Sequence, residues 1–130
     1  MHLDPALLDR MAAQGTALVP TLSVFAASAK GRYASEPGPT RDWWTSGWEG
    51  MATTVRAAHE AGVTVLAGTD SHPCGTVADE VAWPHRCGIP AEDALAAASW
   101  RARAWLGLPG LTDGAPADLV AYDTDPTLTP

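Results

Sequence analysis

Val63-Thr64-Val65-Leu66-Ala67-Gly68-Thr69-Asp70 is the stretch that decides the fold. It opens on five residues, 63–67, that are apolar apart from one threonine, with β-branched side chains at Val63, Thr64 and Val65. A short continuous apolar run predicts a strand buried on both faces, as in a parallel sheet covered by helices. In such α/β folds ligands bind beyond the carboxyl ends of the strands. Asp70 stands just past that end and is the leading candidate for a catalytic base or a metal ligand. Gly68 lets a second backbone or a ligand come close. The alternative for Asp70 is a turn residue or a helix cap. His72, on the following loop of residues 71–75, is a candidate for touching substrate or metal, against a plain hydrogen bond to backbone.

Working upstream, Trp44, Trp48, Met51, Val55 and Ala58 recur by four and three, which predicts a helix over about 40–61 ended by Gly62. Gly31, Pro37, Gly38 and Pro39 mark residues 23–39 as a long loop. Residues 16–22 read as a buried strand, with Pro20 at its end because proline has no ladder donor. Asp4 as cap and Pro5 at the first helical position start a helix over about 5–14. Strand, helix, strand is the order of a βαβ unit. Downstream, a short helix is expected around 76–83, disturbed by Pro84, and a second over about 91–106, stopped by Gly107. Leu119-Val120-Ala121-Tyr122 reads as a final strand between turns.

Composition narrows the function. The chain of 130 residues has a size compatible with one domain, and 46% apolar with 18% charged residues fits a folded protein and not a disordered one. Fifteen acidic against eight basic residues, net −7, argue against a nucleic-acid partner or an acidic membrane surface. No apolar run approaches the ~20 residues of a spanning helix. Met-His-Leu-Asp-Pro lacks the basic and apolar regions of a signal peptide, so the expected location is the cytoplasm. Cys74 and Cys87 are weak evidence for a disulfide; a reactive Cys74 is conceivable, and an inert thiol is the ordinary reading.

Several constellations are missing. The four histidines are His2, His59, His72 and His85, and no His-x-His is present. A hydrolytic zinc site usually takes three protein ligands and a water. Asp70 with His72 and His2 is the most this sequence offers. There is no Gly-x-Ser-x-Gly elbow and no Gly-rich phosphate loop. Asp118 reads as a turn residue.

Together these residues resemble a family. Ala61 to Asp70 is similar to the eighth barrel strand of the amidohydrolase superfamily, near its imidazolonepropionase-like and prolidase-like branches. Asp79-Glu80 through Gly88-Ile89-Pro90-Ala91-Glu92-Asp93-Ala94-Leu95 resembles its next helical segment. Ala97-Ala98-Ser99 with Leu106-Gly107-Leu108 resembles its following helix, and Gly114-Ala115-Pro116-Ala117-Asp118-Leu119-Val120 with Asp125-Pro126 its tail. His2-Leu3-Asp4 to Leu22 is similar to the stretch leading into strand seven.

The resemblance implies an α/β fold: a partial (β/α)8 TIM barrel, its last two βα units, plus a C-terminal strand of a small β-sandwich. It places the barrel part at 1–108 and the sandwich segment at 109–130. It implies a metal-dependent hydrolase of carbon–nitrogen bonds in small amide-type substrates, namely non-peptide amides, cyclic amides or dipeptides. Asp70 matches the family's metal ligand and proton carrier, and zinc is the default divalent metal. The family's His-x-His and other histidine ligands have no counterpart here. The chain is therefore expected to be the last quarter to third of such an enzyme and inactive alone, with a second copy or a complementing chain as the candidate partners. A non-catalytic remnant or interaction module that completes a barrel with another chain is the competing expectation.

Overall fold

A computed structural model describes residues 3–31, 37–70 and 77–128. The elements run α1 (Pro5–Ala13), β1 (Ala17–Leu18), α2 (Leu22–Lys30), α3 (Pro39–Glu60), β2 (Thr64–Val65), α4 (Val77–Arg86), α5 (Ala91–Ala98) and α6 (Trp100–Trp105). β1 and β2 pair in parallel, Ala17 opposite Thr64 and Leu18 opposite Val65. The ladder extends one step further, since the Leu66 N–H donates to the Leu18 carbonyl at 2.9 Å. Beyond it the Ala67 N–H turns to the Ala97 carbonyl of α5 at 3.0 Å, so helix and strand end are tied together.

Local chemistry places most of these elements. The Asp4 side chain caps α1 by accepting from the Ala6 N–H at 2.9 Å. In α3 the expected stripe faces inward: Met51, Val55 and Ala58 are buried, and Trp48 packs against the same cluster. Leu8, Leu22, Val63, Val65, Val81, Ile89 and Ala94 complete that core. Rings extend it outward, Trp48 meeting Trp83 edge-on at 5.0 Å and Phe25 tilted against Trp44 at 5.6 Å.

Three expectations need correction. Residues 23–39 are not one loop, because α2 occupies Leu22–Lys30. Leu22, Phe25 and Ala26 have helical spacing, but the residue before them, Thr21, offers no side-chain cap. The helix over 91–106 is instead two. Ser99 breaks it with φ −132° and ψ −107°, and its hydroxyl donates back to the Leu95 carbonyl at 2.6 Å. Residues 119–122 form no strand: they lie in no ladder, since nothing among the described residues pairs with them. α4, by contrast, runs on through Pro84 to Arg86. The described residues thus make a helix-rich α/β arrangement around one two-stranded parallel sheet, and they close neither a barrel nor a sandwich. No described helix is long and apolar enough to cross a membrane.

Candidate functional site

Both parallel strands end on the same side, and both continue into strained backbone. Thr21, after β1, has φ 48°, and Asp70, after β2, has φ 42°. These are the two non-glycine residues with positive φ among the described residues. Aspartate tolerates this region, whereas a β-branched threonine there is a genuine outlier. Such conformations cost about 1–3 kcal/mol each and persist only where the surroundings impose them.

Contacts crowd the backbone on both sides of Thr21. Gly68 lies so close to the first strand's continuation that a Cβ there would collide with Val19 Cγ1, with Thr21 Cγ2 next at 3.9 Å. A side chain at Gly68 would require Val19 to move. On the other side of Thr21 stands Glu80, a fully buried residue of α4. Its Oε1 accepts from the Leu22 N–H and its Oε2 from the Ser23 N–H, each at 2.8 Å. A carboxylate on the first amides of a helix satisfies orphan donors and meets the positive end of the helix dipole. Glu80 thus replaces the cap that Thr21 does not provide.

Asp70 is exposed at the mouth between these strand ends. The other candidates do not join it there. His72, His2 and Cys74 lie outside the described residues. His59 is in the last turn of α3, on the side where β2 begins, and its Nε2 lies 3.1 Å from Asp93 Oδ2. Asp93 also pairs with Arg101. The Arg101 hydrogen bond holds the Asp93 carboxyl below the usual carboxylate range, against the opposing effect of burial and with added help from His59. His85 Nδ1 is 3.0 Å from the Ile89 carbonyl. Asp118 is exposed and pairs with Arg103 at 3.3 Å, so it too stays away from the mouth. Burial, then the nearby Glu80 charge, push the Cys87 thiol up, which makes it a poor nucleophile.

Among the described residues no three His, Cys, Asp or Glu side chains converge on a point where a metal ion could sit. Asp70 supplies one carboxylate, and one carboxylate does not make a divalent-metal site. The donor set described here therefore does not fit the metal that the family resemblance implies.

Residues 46–130 match the amidohydrolase family, and the chain belongs to it. Members of that family generally use divalent metals and act on small molecules. The chain is 47% identical over 128 residues to the uncharacterized protein Rv2915c of Mycobacterium tuberculosis (strain ATCC 25618 / H37Rv). It is equally similar to the uncharacterized protein Mb2939c of Mycobacterium bovis (strain ATCC BAA-935 / AF2122/97). Each match takes in 92% of this chain and 34% of the relative, so the chain spans about a third of the length of the curated relatives it matches. No solved structure matches it.

Glu80 escaped the sequence reading as a functional residue, though a signal was there. On a helix that buries Val81 and Pro84, position 80 belongs to the inward face. An acidic residue on an inward face needs a partner.

Proposed function

We propose that this chain carries the strand-seven and strand-eight portion of a metal-dependent hydrolase of carbon–nitrogen bonds in small amides, cyclic amides or dipeptide-like molecules. The observation that supports this reading most is the placement of Asp70. It stands just past the carboxyl end of a parallel strand, with a positive φ of 42°, in a chain of the amidohydrolase family. There its carboxylate takes a proton from the attacking water and passes it to the leaving nitrogen. A divalent metal, zinc by default, supplies Lewis acidity when bound, and its remaining donors must come from outside the described residues. His72 is assigned to substrate contact. Residues 1–108 are assigned to the barrel and 109–130 to the sandwich, with a complementing chain completing both.

The test uses the 130-residue chain alone and mixed with the first two-thirds of Rv2915c, on dipeptides, N-acyl amino acids and cyclic amides with added zinc. The chain alone is expected to be inactive. The mixture is expected to turn over, and Asp70→Asn should lower that rate by about 10²–10⁴-fold. Undiminished turnover by Asp70→Asn overturns the assignment. A folded, metal-loaded but inert mixture points to a non-catalytic remnant.

A further inference from the structure

We propose that Glu80 is a positioning residue: from α4 it fixes the end of the first parallel strand, and through it the backbone that carries Asp70. The proposal rests on the reading that Asp70 performs chemistry. Its physical basis is a chain of three contacts. Both Glu80 oxygens accept backbone amides of α2, from Leu22 and Ser23, each at 2.8 Å. Those amides directly follow Thr21, whose φ of 48° and ψ of 48° leave it no side-chain cap bond. Val19, two residues before Thr21, packs its side chain into the space a Gly68 Cβ would take, two residues before Asp70.

Each contact is stiff. The carboxylate is fully buried, so water cannot take over its bonds. Charge-assisted hydrogen bonds to amides are the strong kind. At the Gly68 crossing the Val19 side chain occupies the space a Cβ would need, so a shift of the backbone from Val19 to Thr21 presses on the strand that leads to Asp70. α4 follows Asp70 in sequence, with residues 71–76 between them. Glu80 therefore binds the element after the second strand to the element after the first. The two strand ends that flank the mouth are held in one relative position.

Glu80→Gln tests this. It keeps the shape and one acceptor oxygen, but its amide nitrogen cannot accept the second N–H. The first arm measures amide exchange and ¹H–¹⁵N resonances of the 130-residue chain. The variant should speed exchange at Leu22 or Ser23 at least tenfold and shift Thr21, Gly68 and Asp70, leaving α1 and α6 unchanged. The second arm uses the mixture with the relative's first two-thirds. There kcat should fall about 100-fold with KM nearly constant, the effect of misplacing a reacting group by about 1 Å. Faster exchange at Leu22 or Ser23 with Gly68 and Asp70 unmoved would make Glu80 a helix cap only and overturn the proposal. So would unchanged exchange. If wild-type chain gives no turnover in the mixture, the hydrolytic reading fails, and the resonances still decide whether Glu80 positions Asp70.

Discussion

The stretch from α1 to α5 and the stretch after it treat apolar side chains in opposite ways. In the first, Leu22, Val55 and Ala58 are wholly buried around the two strands. In the second, α6 buries none of its residues, and Trp100 is 50% exposed, Leu119 61% and Val120 75%. Composition does not separate them, since both carry leucine and tryptophan in number. The difference lies in whether a partner surface is within reach. The first stretch has α2 and α3 to cover its strands; the last has a shallow groove against α4 and α5 lined by Val81, Leu95, Leu106, Leu119 and Tyr122.

Substitutions can break this contrast. Leu22→Ala, deep in the first stretch, should cost about 2–5 kcal/mol in urea unfolding, since it leaves a cavity while keeping the amide that Glu80 holds. A loss below 1 kcal/mol would mean that the core is loosely packed there. A smaller effect should come from Asp93, which joins α3 to α6 through His59 and Arg101. Its folded carboxyl lies below the unfolded value, so its contribution is present above about pH 4 and is lost as pH falls through the folded value. Stability measured from pH 6 down to pH 2 should therefore fall less steeply in Asp93→Asn than in wild type. Smallest of all is the tail. Leu119→Ser with Val120→Ser should change unfolding of the isolated chain by no more than about 0.5 kcal/mol. The same pair should weaken association with the first two-thirds of Rv2915c, and equal binding would assign that face no partner of this kind.

What was legible follows the range of the forces involved. α1 reads from Asp4 and Pro5, and α3 from Trp48, Met51, Val55 and Ala58, because capping and periodicity are written within a few residues. The strand cores at Ala17–Leu18 and Thr64–Val65 fall inside the predicted runs, which were longer than the paired segments. α2 was hidden because its cap comes from Glu80, 58 residues away from Leu22. Ser99 was hidden because it has only a backbone twist and a hydroxyl to mark it. Leu119 to Tyr122 has a strand's alphabet, but strands exist only in pairs. For the site, Asp70 was visible as a carboxylate after an apolar run. Its setting between Thr21, Gly68 and Glu80 depends on contacts that cross the whole fold, which no local pattern records.

The separation of Glu80 from Leu22 also has a meaning in time. A ribosome adding about 5–20 residues per second makes Glu80 some 3–12 s after Leu22, given the 58 residues between them. Throughout that interval the leading amides of α2 have only water to bond. The turn at Thr21 has no enforcing carboxylate until α4 has been made, so the mouth around Asp70 can take its shape only after the second strand and the start of α4 have left the ribosome.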